Sequence, residues 1–196
     1  KQIHSSIFIN QLSQELKVRL QGYFLAVCFS QNKDELVLGF ASKEHDFYII
    51  ASLQPDTGFL SFPEEFHRAK KNSADIFPNL IDKQVLNAVS HVGERSFHIE
   101  FAEDFQLVFK MHGRNANLIL MKDNVVVSVF KNSLESDFIF VIPEVKPSNF
   151  ENTSQPSAIN IANAFYSNFS KTYYLQKEKE QIRKYLADKI KKTGNY

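Results

Sequence analysis

Apolar positions in this chain fall into short runs separated by charged or glycine-containing breaks, a pattern of strands rather than of long helices. The stretch from Leu86 to Lys131 is densest in these runs. Within it Phe97, Ile99 and Phe101 alternate with His98 and Glu100, which buries one face of a strand and wets the other. The breaks divide this region into strands at about Val85–His91, Ser96–Phe101, Phe105–Lys110, Ala116–Met121 and Val125–Phe130. A second strand group precedes it, at Tyr23–Ser30, Glu35–Ala41 and Phe47–Leu53. Pro55-Asp56-Thr57-Gly58 is turn chemistry and leads to a short run at Phe59–Phe62.

Helical spacing appears at the ends of the chain and between the two strand groups. Residues 10–21 place Leu12, Leu16 and Leu20 on one side, with Asn10 as the expected N-cap and Gly22 closing the helix. Pro63-Glu64-Glu65 suits a helix start, so a helix is expected from there to about Asn72, with a second short one over Phe77–Leu80. Residues 133–157, with Pro143, Pro147 and Pro156, read as a connector in which Phe138–Ile142 adds an edge strand. Helical periodicity resumes at Ala158–Tyr166 and again from Lys171, where Leu175, Ile182, Leu186 and Ile190 form one stripe. These elements predict an α+β protein: a two-layer antiparallel β structure with flanking helices and a helical C-terminal segment. The expected division is 1–132 as the β-rich domain, 133–157 as connector and 158–196 as the start of a helical region. With its last stripe uncovered, the chain reads as a fragment of a longer protein.

Composition changes this picture little. The 196 residues are 43% hydrophobic, enough for a sizeable core, and the 19 Phe, 7 Tyr and no Trp read first as packing. Charge is more informative in its distribution than in its sum of +1. Residues 171–196 hold eight Lys or Arg against three acids, a net of +5, so the rest of the chain is acidic by four. That basic segment is either the wet face of a helix or a phosphate-facing surface, with Arg183, Lys184, Lys191 and Lys192 as candidate nucleic-acid contacts. Cys28 is the single cysteine and lies in an apolar run, so a disulfide within the chain is excluded. No run approaches the length of a membrane span and no signal-peptide pattern opens the chain, so the expected compartment is the cytoplasm. The sequons at Asn152 and Asn168 then read as chance matches.

Candidate chemistry is sparse. His4, His45, His67, His91, His98 and His112 form no metal-ligand spacing, and no nucleotide-binding or nucleophile motif is present, so neither a cofactor nor an enzyme is expected. Two arginine turns stand out. Gly93-Glu94-Arg95 lies between two strands as a plain charged hairpin or as a turn presenting an arginine fork to phosphate, with Glu94 as its orienting partner. Gly113-Arg114-Asn115-Ala116-Asn117 is also a tight turn, with Arg114 either a donor to loop carbonyls or a ligand contact.

Read together, these segments resemble the N-terminal domain of the NFACT family of ribosome-quality-control factors, many of whose bacterial members carry the label "fibronectin-binding protein A". Gly113-Arg114-Asn115-Ala116-Asn117-Leu118-Ile119-Leu120 is similar to the family's Gly-Arg-x-(Ser/Ala)-Asn-hydrophobic-hydrophobic-Leu. Gly93-Glu94-Arg95 falls where the family has Gly-x-Asp-Arg, and Phe62–Phe66 with Arg68–Lys71 is similar to its Pro-x-x-Phe and Arg-Lys helix. The resemblance spans about residues 3–132, and departs where Ser5 and Glu94 stand in place of the family's two acids. It implies a fold like the N-terminal domain of formamidopyrimidine-DNA glycosylases, but not their chemistry, because this chain opens Lys1-Gln2 rather than Pro-Glu. It also implies partners: tRNA and a large ribosomal subunit carrying stalled peptidyl-tRNA, where such factors assist template-free tailing, by alanine in bacteria. On this reading Glu94, Arg95, Arg114 and Asn115 engage tRNA. The competing expectation, from the family label, is an adhesion-type module that binds fibronectin.

Overall fold

The computed structural model describes residues 2–55, 58–145 and 156–193. The centre of the predicted 55–58 turn, Pro147, the Asn152 sequon and the Gly194-Asn195-Tyr196 end lie outside the described residues. Among the described residues ten strands form two antiparallel sheets of five. The first contains β1 (Phe24–Ser30), β2 (Glu35–Ala41), β3 (Asp46–Ser52), β4 (Phe59–Ser61) and β5 (Ala74–Asp75), ordered β4-β3-β2-β1-β5. The second is a meander of β6 (Val85–Ser90), β7 (Ser96–Phe101), β8 (Phe105–Lys110), β9 (Asn117–Lys122) and β10 (Val125–Val129). With helices α1 (Ser6–Arg19) and α2 (Ala158–Thr193), this is the expected α+β architecture. The chain divides into two compact units, Lys1–Ala162 and Asn163–Tyr196, so the first unit includes the start of α2.

Alternation along the strands builds the core. Phe97 and Phe109 sit opposite each other in the β7–β8 register and stack with centroids 4.6 Å apart. Phe101 stacks on Phe40 of β2, joining the two sheets through their facing sides. Leu12, Leu16 and Leu20 are buried as their spacing predicts, and α1 packs on β6 and β7. The N-cap is Ser5, not Asn10: its Oγ accepts from the Phe8 backbone N–H at 3.1 Å, so the cap lies five residues earlier than expected. Asn10 instead faces the sheet, where its Oδ1 accepts from the Ser90 hydroxyl at 2.7 Å. Glu15, further along α1, caps the start of α2 by accepting from Ser157 Oγ at 2.8 Å and from the Ile159 N–H at 3.2 Å.

Two predicted elements are replaced by other structure. No helix forms from Pro63 to Asn72. Phe66 packs on the outer face of the first sheet against Phe29, Val37 and Ile50, while the Arg68 guanidinium lies 4.5 Å over the same Phe29 ring. Residues two apart share a face only in extended chain; on a helix they would diverge by about 200°. Arg68 also bonds Ser73 Oγ at 2.9 Å and Asp75 Oδ1 at 2.7 Å, fixing the segment that leads into β5. The second predicted short helix survives as a single 3-10 turn, Pro78–Leu80.

The run at 138–142 adds no edge strand. A 3-10 turn, Glu135–Ile139, precedes a segment whose Phe140 and Ile142 pack against Val108, Ile119, Met121 and Val129. This apolar face of the second sheet attracts the segment more strongly than a hydrogen-bonding edge does.

Candidate functional site

Strand register decides where the two arginine turns lie. Ser96 of β7 pairs with Lys110 of β8, which pairs with Asn117 of β9. The turn before β7 and the turn between β8 and β9 therefore leave the same end of the second sheet. The Met111 N–H donates to the Arg95 carbonyl at 2.9 Å, closing this end. Gly93 and Gly113 have φ of +70° and +61°, the left-handed conformation that their lack of a Cβ permits.

Arg95 is exposed at the tip, and its side chain makes no hydrogen bond or ion pair among the described residues. Glu94 does not orient it. The Glu94 carboxylate lies 3.5 Å from His112 Nε2, and no pair joins it to Arg95 among the described residues. The reason is local geometry: neighbouring side chains in a turn diverge, while His112 rises beside Glu94 from the adjoining strand. Arg114 and Asn115 are both exposed on the 3-10 turn Gly113–Asn115, with the Asn115 N–H donating to the His112 carbonyl at 3.2 Å. The second unit holds Arg183, Lys184, Lys191 and Lys192, all exposed on α2.

Two histidines, His4 and His112, lie near enough to Arg95 to feel its charge. His112 is held below the usual imidazole range by burial, with Lys110 and Arg95 adding to the effect and Glu94 opposing it. His4 is lowered by burial first, then by the positive amino terminus of the chain, and least by the Arg95 guanidinium. Both rings are thus poised neutral beside a fixed cation, and an arriving anion would favour their protonation.

Beneath the tip lies a buried relay that spacing did not reveal. His91 Nδ1 is 2.7 Å from Ser96 Oγ, and His91 Nε2 is 2.8 Å from His98 Nδ1. His98 Nε2 is in turn 3.5 Å from Glu100. With neutral rings, one proton arrangement serves the whole chain: Ser96 donates to His91, His91 to His98, and His98 faces the carboxylate. Burial lowers His91 to about 4, helped by the neighbouring His98 and His112, and burial also lowers His98 against the pull of Glu100. The connectivity is that of an activated serine, but Ser96 is only 1% exposed. No substrate carbonyl reaches it, so the relay fastens β6 to β7. Little in the sequence signalled it, because His91, Ser96 and His98 lie among other polar residues of the same hairpin: Asn87, Ser90, Glu94, Arg95 and Glu100.

A second network secures the Gly113–Asn117 turn. Lys110 Nζ, buried, sits 2.5 Å from Asp137 Oδ1, and Asn117 Nδ2 donates to Asp137 Oδ2 at 2.8 Å and to the Lys131 carbonyl at 3.2 Å. The Asn117 Oδ1 accepts from the Lys131 N–H at 2.8 Å. The final Asn of the five-residue motif is therefore wholly buried and works as a brace between β9, the end of β10 and the 3-10 turn containing Asp137.

No family model matches the sequence, and no curated protein matches it. Solved structures do match the fold. The N-terminal domain of the fibronectin-binding protein PavA from Streptococcus pneumoniae superposes with a TM-score of 0.58 over 87% of this chain and 83% of that one, at 13% identity. The fibrinogen-binding protein from Staphylococcus aureus gives 0.57 at 13% identity over 76% of this chain, and the N-terminal part of the fibronectin/fibrinogen-binding protein from Streptococcus suis gives 0.57 at 13% over 78%. This chain spans 57% and 63% of those two. At such identity the likeness shows a common fold, that of the N-terminal domains of fibronectin-binding proteins of the PavA type. Among the described residues no helix is long and apolar enough to cross a membrane.

Proposed function

We propose that this chain is a non-enzymatic RNA-binding module of a ribosome-quality-control factor, which holds tRNA on a large ribosomal subunit carrying stalled peptidyl-tRNA and so assists template-free tailing. The observation that supports it best is the Arg95 guanidinium, exposed on the same sheet end as Arg114 and flanked by His4 and His112. A planar cation whose donors are unoccupied among the described residues suits phosphate, and neighbouring neutral imidazoles can add charge once phosphate arrives. The resemblance of Gly93–Arg95 and Gly113–Leu120 to the NFACT motifs points the same way. So does the +5 balance of residues 171–196.

Arg95→Ala is expected to weaken tRNA binding about tenfold and to reduce the steepness of its salt dependence by about one phosphate contact. Filter binding of wild type and variant between low and physiological salt measures both. Equal affinities and equal salt slopes would remove the proposal's main support.

A second reading, a protein module that binds fibronectin or fibrinogen, is favoured by the names of the three structural neighbours. Surface plasmon resonance against immobilised fibronectin, beside tRNA on the same chip, separates the two.

A further inference from the structure

Two faces of α2 differ in chemistry. Leu175, Ile182, Leu186 and Ile190 share one side, all more than half exposed. Nine residues separate Tyr173 from Ile182, about 900° of helix, so the tyrosine lies on the opposite side. Around Tyr173 on that opposite side are Lys177, Lys184 and Lys191, seven residues apart and nearly in line, with about 10.5 Å of rise between successive lysines. Tyr174 and Tyr185 flank this row, 63% and 59% exposed. Lys177 sits 5.7 Å over the Tyr173 ring, and Lys189 sits 5.2 Å over Tyr185. Tyr173 also stacks on Phe169 at 5.8 Å and meets Tyr174 edge-on at 5.8 Å.

We infer that this tyrosine–lysine face is a docking platform for single-stranded RNA, the lysine row tracking phosphates while the tyrosines take bases on their rings. The inference rests on the RNA-binding reading and gives it a second contact surface with a stated substrate form. Charge complementarity selects a polyanion, because the four lysines Lys177, Lys184, Lys191 and Lys192 outnumber Glu180 and Asp188, the two acids beside the lysine row, by two. The rings narrow the choice. Every base offers a π-face that can stack on the exposed Tyr174 and Tyr185, a use for these rings that a partner bound by charge alone does not supply. The lysines over two of the rings keep the positive charge where a stacked nucleotide carries its phosphate.

The test uses the whole chain and two probes: a 12-residue oligoadenylate, and inorganic polyphosphate, which has the charge without the bases. Replacing Lys177, Lys184 and Lys191 by Glu is expected to weaken both probes at least tenfold. Tyr174→Leu with Tyr185→Leu is expected to weaken oligoadenylate about tenfold and leave polyphosphate unchanged. All these positions are on the surface of a helix, and far-UV circular dichroism checks that the variants stay helical. Oligoadenylate affinity unchanged in the tyrosine variant would overturn the platform, as would tighter binding to phosphatidylserine vesicles than to oligoadenylate. If tRNA binding falls in Arg95→Ala but no α2 variant alters either probe, the platform alone is wrong. If neither class of variant alters RNA binding, the RNA reading itself fails.

Discussion

His91 shows how a single buried ring links folding to pH. Burial holds it neutral down to about 4, while in the unfolded chain it takes up a proton near 6.5. Below 6.5 the unfolded chain therefore binds more protons than the folded one, so stability is intact above that pH and is lost as pH falls toward 4. His98 is lowered for the same reason and adds to the loss. Urea midpoints measured from pH 7 to pH 4 should record a decline on the order of 2 kcal/mol. His91→Gln should lower stability at pH 7 but flatten that decline. Arg95 and Asn117 mark the limits of what residue identity conveys. Both belong to conspicuous motifs, yet among the described residues one is exposed and without a side-chain partner while the other is sealed inside and fully bonded. Spacing alone does not distinguish a contact residue from a brace, because both demand a polar side chain at a turn.

At the scale of elements, the segment 135–142 depends on one buried ion pair. Asp137→Ala leaves the Lys110 ammonium buried without its carboxylate and removes an acceptor from Asn117, which should cost about 3–5 kcal/mol. Chemical denaturation measures it, and pairing Asp137→Leu with Lys110→Met should recover most of the loss. Strands were legible because alternation reports directly on a half-buried sheet: the nine runs from Tyr23 to Phe130 need only shifts of a residue or two to match β1–β4 and β6–β10, while the edge strand expected at Phe138–Ile142 did not form. The exception among strands is β5, two exposed residues with no apolar pattern, which exists because β1 offers Phe29 and Ser30 as partners. The 63–72 segment failed as a helix for a related reason. Its proline and acids are good local signals, but Phe66 and Arg68 both gain more by reaching Phe29.

Across the whole molecule, charge and core are separated along the chain. The apolar sandwich belongs to the first unit, which is acidic, and the basic residues concentrate in the second. A chain ending at Ala162 should thus keep a single cooperative thermal transition, since Ala158 and Ala162 with the Glu15 cap remain within it. Differential scanning calorimetry tests this; loss of the transition would show that the first unit does not fold alone. Composition and periodicity were sufficient for the α+β class, the two strand groups, the helical character of Ala158–Tyr166 and of the chain from Lys171, which the structure joins into the single helix Ala158–Thr193, and the candidacy of both arginine turns, because each is written in neighbouring residues. The common placement of those turns, the His91–His98 relay and the Lys110–Asp137–Asn117 brace came only with the tertiary structure. They join residues up to 27 positions apart, and that meeting is set by strand register, a property of paired chains that no single stretch contains.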